Sequence, residues 1–587
     1  MRAASAIALL FGLAAAVPAA AQDRCDAPGL TPIHALADAG SGSARLRGVV
    51  TAVFPGLSGY FIEAPRSDWD KSTTTTEGLF VYTGHEFPRL EAGDEIVLAG
   101  HYRLFHDMPE LEHVRILSRC GRRVRPPAVT LERIGTWSAL LGMRVRFTHR
   151  LTVAGLADAG RYGELRLYVG GHPFAPTALT APGPGAEALA RSESAHSLWL
   201  DDGSTHAPKD DLDFAGQRFD AAHPLRGGME LKQLQGIAFH AFGRNMLEPT
   251  QFTLDRNANP RRMPAALGLP KGLRVVSFNV ENYFNHALSG PPFPTERGAR
   301  SVAGFACQTR KLVSALAALH PALAGLQEIE NDGYGADSAI AHLVVVLNHA
   351  VPDAHYRYVR PRSKRLGDDL IAPALIYDVR RLARVGRVAV LTPEVLRERV
   401  GVAAATGLSR PVLAASFKVR AGGLAFTAAV LHLRSKRSAC GDGLDSRDGA
   451  GHCAGARAAA VAPIAHWLQS RPTGAATPNT LVLGDFNAYP KEAAITEWGK
   501  AGWVNLAAHY IPRETRYSES YRGRVGELDY IFANPPMAGH VAGATIWHND
   551  ADEAPALAYD RRFAACAASP TPWHASDHDP IIVVLKR

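Results

Sequence analysis

The C-terminal half of the chain is dominated by apolar runs too unbroken to leave either face of a strand in water. "LRVVSFNVENYF" from Leu273, "NTLVLGDFNAYP" around Leu481–Leu483 and the closing "DPIIVVLKR" carry consecutive apolar residues, which point to both sides of an extended segment. A strand with one wet face alternates; a run like these must be covered above and below. Covers are available, because "TRKLVSALAALH" repeats its apolar residues at helical spacing. Strands interleaved with such helices predict a layered α/β domain over residues 273–587.

The preceding sequence has another texture. At 587 residues the chain exceeds what one core usually supports, so further domains are expected. Met1–Ala21 has one Arg, an apolar stretch and small residues before Gln22, the layout of a secretory signal peptide, and predicts a secreted protein or one held in the periplasm. Residues 22–122 contain short β-branched and aromatic runs broken by turns, as in "LRGVVTAVFPGLSGYFIEAP", and predict an OB-like β domain. Tyr60, Phe61, Phe80 and Tyr82 are expected in its core, base stacking being the alternative. Residues 123–262 predict a second β-rich domain, and the Pro- and Arg-rich 263–272 a linker. Asp201, Asp202 and Asp210–Asp213 lack EF-hand spacing and read as a solvated loop.

The formal charge of +8 permits a polyanionic partner without demanding one. All six cysteines follow the signal segment, which fits an oxidising compartment and a disulfide framework. The preferred pairing is Cys25–Cys120, bracketing the first β domain, Cys440–Cys453, closing a Gly/Asp-rich loop, and Cys307–Cys566. No Cys/His cluster has zinc spacing.

What marks the chain functionally is the residue type at the lips of its apolar strands. Asn279 and Glu281 follow "VVSF", and Glu328 follows "LAGLQ". His432 lies in "AVLHLRSK"; Asp485 and Asn487 end "LVLGDFN"; Asp529 follows "GEL"; Asp577 and His578 precede the last strand. Each alone is an ordinary polar turn. Together, acids, amides and histidines without cysteine predict one shared site with oxygen ligands for a hard cation beside two imidazoles able to move protons.

The ordered set "FNVEN", "LQEIEN", "LHLRSK", "GDFN", "LDYIFAN" and "SDHDP" resembles the endonuclease/exonuclease/phosphatase superfamily, whose fold is DNase I-like. The whole layout, with "TTEGLFVYTG", "LEPTQF" and "EIENDG", is similar to secreted bacterial extracellular nucleases of the ExeM type. The resemblance implies a C-terminal four-layered α/β sandwich behind the two β-rich domains. It also implies Glu328 as principal metal ligand, with Asn279, Asp577 and Glu281 beside it, and Asp529–His578 as a carboxylate–imidazole pair. His432 would contact the scissile phosphate, Asp485 orient the attacking water, and Asn487 and Arg410 bind substrate. The metal implied is magnesium, with manganese or calcium as alternatives. The loop after His432 is basic through Lys436, Arg437 and Arg457, and Lys436 is the residue expected to grip the substrate backbone. Tyr530 departs from the subgroup, which commonly has His there.

The leading expectation is a secreted, metal-dependent nuclease for DNA, with RNA a further candidate, acting as a monomer without a membrane anchor. Two others stay open: a phosphodiesterase or phosphatase for lipid or inositol phosphates, and a non-catalytic protein that binds nucleic acid or a surface.

Overall fold

The computed structural model describes Cys25 and residues 28–586, apart from 71, 85–86, 125, 136, 207–211, 221–222, 287–291, 442–443, 560–565 and 567–570. The signal segment and the acids Asp210 and Asp211 lie outside the described residues.

Strands β1 (Gly42–Phe54), β2 (Gly59–Glu63), β3 (Gly78–Tyr82), β4 (Asp94–Phe105) and β5 (Met108–Arg123) close into a barrel in the order β1-β2-β3-β5-β4. Alternation sorts its aromatics. Tyr60, with Leu46, Val50, Ile62 and Ile96, fills the interior, whereas Phe61 and Phe80 point outward and are buried in the core of the next unit. Only Tyr82 of the four aromatics is exposed, at 41%. The barrel therefore uses three of them as packing, which leaves Tyr82 for any stacking role.

The next unit contains β6 (Val129–Leu131), β7 (Arg144–Phe147), β8 (Leu151–Gly155), β9 (Leu165–Val169) and β10 (Ser197–Leu200). The hairpin β11 (Leu212–Phe214) and β12 (Gln217–Phe219) follows, then the long β13 (Glu230–Ala241) and β14 (Arg244–Asp255). Seven of these form one sheet, ordered β14-β10-β9-β8-β13-β7-β6. Asp201 is not solvated as expected from sequence. It is buried, its carboxylate accepts from Gly203 N at 2.9 Å, and the neighbouring acids Glu248 and Asp202 bear on it.

From Leu273 onward two six-stranded sheets pack face to face. The first is built from β15 (Leu273–Tyr283), β16 (Leu323–Glu330), β17 (Tyr356–Tyr358), β18 (Ile371–Asp378), and later β27 (Val541–Ile546) and β28 (Ile581–Leu585), in the order β17-β18-β16-β15-β28-β27. The second joins β19 (Leu382–Leu391), β20 (Val412–Val419), β21 (Ala425–His432), β22 (Thr480–Asp485), β23 (Val504–Asn505) and β26 (Asp529–Ala533), in the order β19-β20-β21-β22-β26-β23. A separate hairpin, β24 (Glu519–Tyr521) and β25 (Arg524–Gly526), precedes β26.

Val275, Leu323, Val430, Leu483, Ile531 and Val583 meet between the sheets. On the far side of the first sheet Val276, Phe278 and Ile582 pack on helices Val302–Leu319 and Ala339–Ala350. On the far side of the second, Val412, Val482 and Phe532 pack on helices that include Ala454–Gln469 and Ala493–Lys500. Helix, sheet, sheet, helix is the four-layered sandwich, and it explains the unbroken apolar runs: every residue of Ile581–Leu585 is buried.

Disulfides join Cys25–Cys120, Cys307–Cys566 and Cys440–Cys453. The middle unit is tied to the sandwich by buried polar contacts. Arg226, 1% exposed, reaches Glu553 at 2.7 Å and donates to His548 O at 2.6 Å. Thr177 Oγ1 donates to Glu492 at 2.7 Å, and Arg524 Nε donates to Glu193 at 2.6 Å.

Candidate active site

In the second sheet the pairing register puts His432 opposite Asp485 and Asp485 opposite Asp529, so three chemically active side chains form one row across β21, β22 and β26. Paired residues share a sheet face. The first sheet contributes from β15 and β16, whose parallel pairing is regular up to Asn279–Gln327 and then shifts. At that irregularity Glu281, Asn282 and Glu328 adopt positive φ of 52°, 52° and 67°. This region is costly for non-glycine residues and tends to persist where a side chain must be re-aimed. Asn487, just beyond β22, does the same at φ 48°.

The two sheets meet through Asn279, whose Nδ2 lies 3.3 Å from Glu328 Oε1 and 3.3 Å from Asp485 Oδ2. Glu328 Oε2 accepts from Asn282 N at 3.0 Å. His432 Nε2 is 3.4 Å from Asp485 Oδ2, and Asp485 Oδ1 accepts from Asn487 N at 2.8 Å. His578 Nδ1 sits 2.6 Å from Asp529 Oδ2, which also accepts from Ser518 Oγ at 2.7 Å. Ser576 fixes the turn that delivers His578: its hydroxyl donates to Asn279 O at 2.6 Å and accepts from His578 N at 3.2 Å. Asp579 holds the same turn, accepting from Asp550 N, Ala551 N and His548 Nδ1.

Charge is crowded here and the side chains of His432, Asp485, Asp529 and His578 are buried. Burial, together with the carboxylate of Asp577, holds Glu328 above the usual carboxylate range. Burial and the neighbouring Asp529 push Asp485 up to about 8. Burial keeps His432 well below an ordinary imidazole, helped by Arg410, so it is neutral. Burial also opposes charge on His578, but Asp529 and Asp577 overcome it and raise that imidazole well above its usual value. Glu519, paired to His578 in an isolated bridge, is pushed up to about 7 by burial.

Asn279 turns its Nδ2 to Glu328 and Asp485, while its Oδ1 accepts from Glu281 N at 3.1 Å; buried carboxylate oxygens of this kind suit a hard cation. Asp529 Oδ1 is buried without a hydrogen-bond partner, and ligand atoms of Asp485, Asp529 and His578 all lie within 4.8 Å of one another. Within that cluster the 2.6 Å contact pairs His578 Nδ1 with Asp529 Oδ2, an imidazole–carboxylate pair.

The remaining expected residues are less open. Arg410 is 6% exposed, with Nε 3.1 Å from Asp369 and Nη1 donating to Leu433 O at 3.2 Å. Lys436 is ion-paired to the buried Glu492 and lies 4.6 Å from the Tyr489 ring centroid. Arg457 is fully buried and donates to the carbonyls of Arg434, His452 and Ala450, so it cannot grip substrate as the basic loop suggested. Arg437 stays exposed. Sequence reasoning missed Ser518, Glu519, Asp369 and Ser576. Of these Ser576, next to Asp577, and Asp369, two residues before the buried strand β18, carried a local signal; Ser518 and Glu519 lie where no long apolar strand ends.

No curated protein matches the chain. Solved structures align over 54% of it. They include the human Nocturnin catalytic domain with bound sulfate (16% identity, 94% of that chain, TM-score 0.33). A mannosyl-6-phosphatase of Bacteroides thetaiotaomicron aligns with 14% identity over 100% of its chain, TM-score 0.35. TDP2 of D. rerio, complexed with single-strand DNA product, aligns with 14% identity over 100% of its chain, TM-score 0.34. The model of the Endonuclease/Exonuclease/phosphatase family matches residues 276–578, just over half of the chain, which takes in the row His432, Asp485 and Asp529 and reaches His578 in the turn. The chain belongs to the endonuclease/exonuclease/phosphatase family.

Proposed function

We propose that the protein is a secreted nuclease that hydrolyses phosphodiester bonds of DNA, RNA being a further candidate substrate, with a divalent metal, magnesium first. Enzymes of this family are typically metal-dependent hydrolases of phosphodiester bonds. The observation that carries the reading is the meeting of Glu328 and Asn279 from one sheet with His432, Asp485 and Asp529 from the other, around the His578–Asp529 pair. Glu328, with Asn279, Asp577 and Glu281 beside it, would hold the metal, which when bound supplies positive charge against the phosphate and the leaving oxygen.

The chain's own groups do the rest. Neutral His432 donates a hydrogen bond to a non-bridging phosphate oxygen, and Asn487 and Arg410 add donors to the same group. Asp485, with its affinity for protons raised, orients the water for in-line attack and takes its proton. His578, kept protonated by Asp529, faces the developing charge. The barrel, whose five strands suit an OB-like fold, and Tyr82 on its surface support a polymeric substrate. Lys436, held by Glu492 in the loop after His432, would contact the substrate backbone.

The test is a parallel assay of the mature chain on plasmid DNA, RNA and sphingomyelin with magnesium, with and without EDTA. Cleavage of nucleic acid that EDTA abolishes is expected. Hydrolysis of sphingomyelin alone would replace the nuclease reading with a lipid phosphodiesterase.

A further inference from the structure

At the end of the sandwich opposite the candidate active site lies a cleft of about 910 Å³ lined by Lys271, Arg274, His320, Arg380, Arg381, Arg420 and Lys586. It forms where β15 starts, where β28 ends, and at the β18–β19 and β20–β21 turns. The run of β15 from Leu273 to Asn279 separates it from the site by about 20 Å, at about 3.3 Å per residue of strand.

Among the described residues no acid lines this cleft. Most of its cations are held by neutral carbonyls: Arg274 by Leu319 O at 2.8 Å, Arg380 by Pro352 O at 3.1 Å, Arg420 by Val379 O at 2.7 Å, and Lys586 by Gly539 O at 2.8 Å. Two acids stand next to it: the buried Asp378, 3.4 Å from Arg381, and the exposed Asp353, 3.2 Å from His320. Arg381 also reaches His320 Nδ1 at 2.9 Å.

Carbonyl acceptors fix the direction of a guanidinium without cancelling its charge. Like charges are thus gathered in one concavity, a costly arrangement that a multiply charged anion would relieve. Lys271, Arg380, Arg420 and Lys586 are exposed at the rim, with Arg274, His320 and Arg381 half-buried behind them. Apolar Leu269, Pro270 and Val419 complete the wall, and among the described residues it has no Phe, Tyr or Trp for base stacking. Recognition here is of phosphate groups, not bases.

We infer that this cleft is a second anion site, distinct from the hydrolytic centre, whose ligand is a run of adjacent phosphates, in a nucleic-acid strand or a free oligophosphate. The inference goes beyond the nuclease reading and stands if that reading fails, because binding is measured without turnover. In EDTA, the full mature chain is titrated with inorganic tripolyphosphate and with a labelled 12-mer oligothymidylate. The triple variant Lys271→Ser, Arg380→Ser, Arg420→Ser is compared with the parent and with Glu328→Gln.

The expected result is at least ten-fold weaker tripolyphosphate binding by the triple variant with an unchanged melting curve, and parent-like binding by Glu328→Gln. If the strand is the ligand, its log Kd against log salt also loses about 2 from the slope, at about 0.7 per phosphate contact. Tripolyphosphate affected alone identifies a compact oligophosphate site. Both ligands bound equally by parent and triple variant would overturn the inference, as would loss of binding in Glu328→Gln.

Discussion

On the imidazole of His578, burial and charge act in opposite directions. Burial disfavours the cation, while Asp529 at 2.6 Å and the nearby Asp577 favour it strongly enough to win. Replacing Asp529 by Asn removes a charge but keeps the shape, so burial then dominates and the His578 pKa falls. If protonated His578 is the working form, activity in Asp529→Asn should be lost first at neutral and alkaline pH and partly return on acidification. A pH–rate profile unchanged in shape would contradict that role. Alanine at His578 itself should lower kcat by roughly 10²–10⁴-fold, the usual range for a positioned acid or base, with KM moving far less. Steady-state kinetics on a dinucleotide ester separates the two. Ser518 and Glu519, which surround this pair, were illegible in "RYSESY" because no apolar strand ends there. Asp529 and His578 were legible because a charge beside a buried strand needs a reason.

Between elements, buried carboxylates link folding to pH. Glu63 on β2 accepts from the backbone N–H of Arg144 on β7, and burial pushes it up to about 8 from 4.5. The folded state thus binds a proton more tightly than the unfolded chain. Stability from this group is present below pH 4.5 and is lost as pH rises toward 8, by roughly 1.4 kcal/mol per unit at most. Glu63→Gln keeps the acceptor and cannot ionise. Its melting temperature should therefore fall less than the parent's between pH 5 and 8; parallel curves would refute the assignment. Arg226 makes a second such contact, where Asp552 and Glu553 would be left buried without it. Because Glu553 keeps Arg261 and Asp552 keeps Asn259 and Tyr517, Arg226→Ala should cost about 3 kcal/mol, the low end for a broken buried pair, read by chemical denaturation. Sequence showed the strands of both β-rich units through their alternation. It did not show their docking, because Phe61, Phe80 and Arg226 look the same in sequence whether they face a core, a neighbour or water.

At the scale of the molecule, two sheets with dry faces fix where strands end, and those ends gather the candidate active-site residues on one side and a basic cleft on the other. The first was readable because its residues break apolar runs at regular places. The second was not, since Lys271, Arg380, Arg420 and Lys586 are ordinary surface residues until the turns bring them together. Arg457 failed in the opposite sense: a basic loop residue that the fold draws inside. Among the described residues no helix is long and apolar enough to cross a membrane. The claim that strand ends from both sheets build one cation-dependent centre is tested most directly by anomalous diffraction from crystals soaked in manganese. A peak about 2.0–2.2 Å from a Glu328 carboxylate oxygen, bordered by Asn279 and Asp577, is expected. A peak enclosed by Asp485, Asp529 and His578 with none at Glu328, or no peak between the sheets at all, would contradict it.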